Sequence, residues 1–157
     1  MISAVFDSTA LLQAAGSKKG PAGACIAFVD EGRVKLLISA TTLEEIREVL
    51  HRPEIRKAFP KLTDENVLDF LDHLVDKGHM IEDVPSVYRF ARDPNDEPYL
   101  NLAIATQAPF IVSRDNDLLD LMKNDDFRKA YPGLTIIDPV AFLKHVRAEV
   151  AKELGTP

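Results

Sequence analysis

Ala4-Val5-Phe6-Asp7-Ser8-Thr9, close to the N-terminus, is a short apolar run that stops at a carboxylate. Phe110-Ile111-Val112-Ser113-Arg114-Asp115-Asn116-Asp117 repeats the pattern far downstream. Apolar stretches of this length, bounded by polar residues and followed by helical periodicity, read as buried strands of a parallel sheet. Ligands of open α/β sheets collect beyond the carboxyl ends of the strands. Two strands that each deliver an Asp to that edge place negative charge where chemistry usually occurs. Converging carboxylates repel one another unless a cation holds them, so the pattern points to a divalent metal site.

Composition bounds the alternatives. A chain of 157 residues buries a substantial core and suits one domain, taken here as residues 1–150 with a C-terminal tail at 151–157. Hydrophobic residues at 46% and charged residues at 28% are ordinary for a globular protein. A net charge of -6 argues against a general polyanion binder, although a bound cation reverses the local sign of an acidic cleft. Cys25 is the only cysteine, which excludes an intramolecular disulfide and a thiolate metal cluster. Its apolar surroundings, Ala24 to Phe28, mark it as a small buried residue. No stretch approaches the roughly 20 apolar residues of a membrane span, and no basic region with a hydrophobic signal core opens the chain. A cytoplasmic location with no membrane partner is the expectation.

Strand and helix patterns alternate, which predicts an α/β fold. Helices are expected over Ser8–Ala15, Pro21–Asp30, Thr42–Leu50, Pro53–Ala58 and about Glu97–Thr106. Val67, Phe70, Leu71, Leu74 and Val75 mark one face of a long helix that opens at Thr63-Asp64 and ends at Gly78. Val34–Ile38, Phe110–Val112 and Leu134–Ile137 read as strands, and Met80–Val84 as a weaker one. A short helix near Leu118–Lys123, a loop through Pro132-Gly133 and a helix from Pro139 complete the chain.

Four regions offer carboxylates: Asp7, the Glu44/Glu45/Glu48 group, Asp93/Asp96 and Asp115/Asp117. Mg²⁺ and Mn²⁺ prefer carboxylate and water oxygens. Each acid also has a local use. Asp7 suits a helix N-cap, and Thr41-Thr42-Leu43-Glu44-Glu45 offers two overlapping capping boxes. At about 100° per residue, Glu44 and Glu48 fall opposite the stripe of Leu43, Ile46 and Leu50, while Glu45 lies at its border. A border residue can reach a cleft beside the sheet, so Glu45 is the candidate. Asp96 stands where a helix begins, whose positive end favours an ionised carboxylate. Asp117 suits a cap for the helix at Leu118 and ranks below Asp115 as a ligand.

Four segments occur in a recognisable order: Val5-Phe6-Asp7-Ser8; Ile38-Ser39 followed by Glu45 to Leu50; Arg92-Asp93-Pro94-Asn95-Asp96-Glu97 leading into Leu102-Ala103; and Ile111 to Leu119. With these the chain resembles a PIN-domain ribonuclease, similar to the VapC-type toxins of prokaryotic toxin–antitoxin pairs. The resemblance implies a three-layer α/β/α fold around a mainly parallel sheet. It places the family's acidic residues on Asp7, Glu45, Asp96 and Asp115, and its cofactor as one or two Mg²⁺ or Mn²⁺ ions. It further implies an RNA substrate, a cognate antitoxin and a homodimer. Thr9 departs from the Asn that the family usually carries there, and Ser113 stands where Thr or Ser is usual.

Metal-dependent hydrolysis of this kind bypasses the RNA 2′-hydroxyl and leaves 5′-phosphate and 3′-hydroxyl ends. His51, His73, His79 and His145 all lie outside the acidic motifs, which disfavours a histidine-driven ribonuclease or a zinc hydrolase. Lys18, Lys19 and Arg114 are the candidate phosphate-binding cations. Two other functions compete. A PIN fold used as a binding or scaffold module, with cleavage weak or lost, draws its support from Thr9. A phosphatase with Asp7 as nucleophile needs a second Asp at the position of Thr9.

Overall fold

The computed structural model describes residues 1–155. Its sheet holds β1 (Ile2–Phe6), β2 (Val34–Ile38), β3 (His79–Met80), β4 (Phe110–Val112) and β5 (Thr135–Ile137), all parallel, in the order β3-β2-β1-β4-β5. Between and after the strands run α1 (Ser8–Gly16), α2 (Pro21–Asp30), α3 (Ala40–His51), α4 (Pro53–Ala58), α5 (Asp64–Lys77), α6 (Glu97–Thr106), α7 (Asn116–Leu119), α8 (Asp125–Ala130) and α9 (Pro139–Glu153).

Alternation along the strands builds two cores. Ala4, Phe6, Leu36, Ile38 and Val112 face one layer, packed by α1, α2, α3, α5 and α9. Val5, Leu37, Ile111 and Ile136 face the other, packed by α6, α7, α8 and the segment around Phe90. Both faces of β1 are therefore apolar, as a central parallel strand requires. A slip of one residue would exchange its faces, so packing holds the register Ala4–Phe110, Val5–Ile111 and Phe6–Val112. Phe142 of α9 packs edge-on against Phe6 and Phe110, with ring centroids 5.7 and 5.3 Å away.

The strand order also locates the site. From β1 the chain crosses to β2 and β3 on one side, while β4 and β5 lie on the other. The reversal between β1 and β4 opens a crevice beyond their carboxyl ends. Asp7 leaves one of these strands and Ser113 the other, and the Asp7 N–H donates to the Val112 carbonyl across the gap (3.1 Å).

Several local expectations change. The third strand stops at Met80 instead of reaching Val84. Beyond it Asp83 takes a left-handed φ of 54°, and the N–H groups of Val87 and Tyr88 donate to the Asn101 side chain rather than to a strand. Helix α8 forms where the sequence pattern predicts only a loop, because the Asn124 side chain accepts from the Phe127 N–H and Phe127 is buried. The helix expected over Leu118–Lys123 divides into α7 and a tighter 3₁₀ turn. Helix α9 runs to Glu153, so the expected tail begins helical; residues 156 and 157 lie outside the described part.

Gly78 does end α5, but for a different reason. Its φ of -77° is open to any residue, so no left-handed cap is formed. A Cβ there would lie 2.5 Å from the Leu74 carbonyl oxygen and 2.9 Å from Ile38 Cδ1. The helix's own Leu74 carbonyl is what demands glycine, with Ile38 of β2 crowding the same space. Gly78→Ala is expected to lower unfolding free energy by roughly 1–3 kcal/mol, the usual range for overpacking, as read by urea denaturation.

Candidate metal centre

Asp7 is fully buried at the first turn of α1. Its Oδ1 accepts the Ala10 N–H (2.9 Å) and the Thr9 hydroxyl (2.7 Å), and its Oδ2 accepts the Ser113 hydroxyl. Burial dominates these donors and lifts the carboxyl to about 6, with Asp115 adding repulsion. Oδ2, with one protein donor, keeps an acceptor position open.

Two hydroxyls stitch the ends of β1 and β4 together. Ser113 donates to Asp7 and accepts from the Asp115 N–H (2.9 Å), which fixes the turn that carries Asp115. Thr9 donates to Asp7 and accepts the Arg114 N–H (2.9 Å). The departure from Asn at this position thus retains both a donor and an acceptor contact.

Asp93, Asp96 and Asp115 converge, each offering an oxygen within 4.8 Å of the others. Asp93 caps the turn Pro94–Asp96 by accepting from the Asn95 N–H (3.1 Å), and Asp115 caps α7 by accepting from the Asp117 N–H (2.9 Å). Asp96 is buried, and its Oδ2 has no hydrogen-bond partner among the described residues. Its pKa is pushed up to about 9, first by burial and then by Asp115, Asp93 and Asp7. Position at the start of α6 predicts an ionised carboxylate here; burial and neighbouring acids outweigh that helix end. An orphaned carboxylate oxygen among acceptors alone suits a hard cation, and all-oxygen donors of this kind fit Mg²⁺ or Mn²⁺.

Asp93 does not belong to the ligand set expected from the sequence. Its signal is the three-residue spacing from Asp96, since a 3₁₀ turn eclipses residues i and i+3. Glu45 stands outside that tight triad but lines the same cleft, a hollow of about 740 Å³ bounded also by Ser8, Thr9, Arg52 and Asp115. The N-cap of α3 is Ser39, which shares a reciprocal box with Thr42, so neither expected Thr–Glu box forms and Glu45 is free for the cleft. Burial raises the Glu45 pKa, while the nearby Tyr99 and Ser8 hydroxyls lower it. Burial and the charges of Glu45 and Asp7 in turn push the Tyr99 phenol upward.

Asp117 lies apart. Its carboxylate pairs with Arg92 (2.6 Å), which also holds Asp120 (3.1 Å), and the cap expected from Asp117 is supplied by Asp115. Lys18 and Lys19 are exposed in the loop after α1, and Arg114 borders a separate hollow beside α2 and α9. Among the described residues lining the cleft, Arg52 is the single cation, and Glu48 holds it at 3.1 Å.

A family model described as the PIN domain matches residues 3–117, nearly three-quarters of the chain and every acid named in the cleft. No curated protein matches the chain.

Two outcomes follow from this geometry. With Asp7 and Asp96 raised from 3.8 to about 6 and about 9, the folded metal-free chain binds more protons than the unfolded one across that window. Stability in EDTA should therefore fall as pH rises from about 5 to about 8, and saturating Mn²⁺ should reverse the trend, as read by thermal unfolding. Thr9→Val keeps the shape but removes the hydroxyl that donates to the buried Asp7 carboxylate, and should cost about 1–2 kcal/mol in chemical denaturation.

Proposed function

The chain belongs to the PIN-domain family, and from that premise we propose that it is a metal-dependent ribonuclease that hydrolyses RNA phosphodiester bonds. One observation carries the reading. The buried Asp96 Oδ2 lacks any donor while Asp93 and Asp115 crowd it, an arrangement that suits a cation.

Asp93, Asp96 and Asp115 would hold Mg²⁺ or Mn²⁺, with Asp7 contributing its open Oδ2 position and Glu45 facing the same space. The chemistry such an ion supplies when bound is Lewis-acid polarisation of a phosphoryl oxygen and activation of water. The protein's own part is positional. Ser113 and Thr9 clamp Asp7, the Ser113 hydroxyl sets the Asp115 turn, and the Pro94–Asp96 turn aligns Asp93 with Asp96. Arg52, on the cleft wall, is the side chain able to meet a substrate phosphate. The scaffold alternative rests on Thr9, and Thr9 keeps its contacts to both Asp7 and Arg114.

Our finer reading makes the chain a cytoplasmic toxin that pairs with a second copy and is masked by a cognate antitoxin. That part rests on the resemblance of its motif order to VapC-type toxins.

Purified protein incubated with a mixed RNA pool and Mn²⁺ should leave 5′-phosphate and 3′-hydroxyl ends. Asp7→Asn and Asp96→Asn should each lower cleavage by at least about 10²-fold while staying folded. In Asp7→Asn the new amide carbonyl can keep the Ala10 bond, and Ser113 can turn its hydroxyl to accept. Above about pH 9, where Asp96 is ionised in the metal-free chain, Asp96→Asn should raise the thermal midpoint in EDTA, because an amide donates to Asp115 where a carboxylate repels it. Equal cutting by wild type and variants would refute the assignment.

A further inference from the structure

Tyr99 carries a hydroxyl that the acidic motifs do not explain. The residue is fully buried, yet its Oη has no hydrogen-bond partner among the described residues. Leaving a buried hydroxyl unpaired costs about 1–3 kcal/mol, and phenylalanine would fill the same space without that cost. The ring belongs to the core beneath α6. Its polar neighbours, Glu45 and Ser8, come from α3 and α1 of the opposite layer, with Asp7 close by. Tyr99 therefore presents its donor at the ends of the strands beside Glu45, a half-buried cleft acid that stands outside the tight triad.

Glu45 needs such a donor. It is half-buried on the cleft wall, and among the described residues no salt bridge holds it, whereas Glu44 and Glu48 are paired with Arg47 and Arg52. A long side chain without a fixed partner loses conformational freedom when it is drawn toward a cation. A donor already held rigid by the core reduces that loss. Resting on the metal-site reading above, we propose that Tyr99 is a positioning residue whose hydroxyl bonds the Glu45 carboxylate and orients it toward the cation held by Asp93, Asp96 and Asp115.

A double-mutant cycle on the full chain tests this, with Mn²⁺ affinity measured by calorimetric titration on wild type, Tyr99→Phe, Glu45→Gln and the double variant. Tyr99→Phe should keep its thermal midpoint in EDTA, or raise it, and bind Mn²⁺ about tenfold more weakly. In the Glu45→Gln background the same change should have no further effect. Wild-type affinity in Tyr99→Phe, or an equal loss in both backgrounds, would overturn the assignment. So would a Tyr99→Phe chain that fails to fold, since the hydroxyl would then be structural. Loss in Glu45→Gln without loss in Tyr99→Phe removes the Tyr99 proposal alone, whereas a wild-type chain that binds no Mn²⁺ removes the metal site as well.

Discussion

Like charges gathered at one sheet edge are the constraint from which the rest of this structure can be understood. Oxygens of Asp93, Asp96 and Asp115 lie within 4.8 Å of each other. At an effective dielectric of about 20, each ionised pair at that separation repels by roughly 3–4 kcal/mol, before water around the partly exposed Asp93 and Asp115 screens it. Together such terms rival the ~5–15 kcal/mol that holds a typical domain folded. Something must neutralise them. Protons can, as the raised Asp96 pKa shows, or a divalent cation can. The proposed hydrolysis would need the second solution at neutral pH, because protonated acids make poor ligands.

The fold tolerates this charge by giving the carboxylates second duties. Asp7 caps α1, Asp93 caps the turn before α6, and Asp115 caps α7. Each cap satisfies a backbone N–H that the first turn of a helix otherwise leaves without a partner. Structural and chemical roles are therefore combined in the same atoms. If these acids hold the proposed ion, a substitution at any of them changes local helix stability and metal affinity together, and Asn, which can still cap, separates the two better than Ala.

The sheet was legible because burial of both faces writes itself into continuous apolar runs such as Ala4–Phe6 and Phe110–Val112, each closed by a polar residue. Helix ends at Pro21, Pro53 and Gly16 were legible from proline and glycine chemistry. What escaped depended on backbone conformation and on long-range partners. The strand expected over Met80–Val84 breaks off before Asp83, whose left-handed φ of 54° is incompatible with continued strand pairing. In the site, helical spacing assigned Glu44 and Glu48 to solvent, yet both line the cleft beside Glu45, which differs from them in being half-buried; nor could spacing reveal that Arg92 pairs with Asp117. The raised pKa of Asp96 was equally hidden, since helix-end electrostatics is local whereas burial is a property of the assembled core.

Charge balance inside the cleft carries the argument one step further. Its lining offers Glu44, Glu45, Glu48, Asp93, Asp96 and Asp115 against Arg52 alone. Arg52 is itself engaged by Glu48. A nucleic-acid phosphate approaching such a wall meets repulsion from the same charges that destabilise the metal-free fold. One divalent ion changes both terms at once, relieving the clustered acids and supplying the attraction that the side chains lack. On the proposed function, substrate affinity and fold stability should then share a dependence on metal, since a polyanion would have to bind a chain with a net charge of -6.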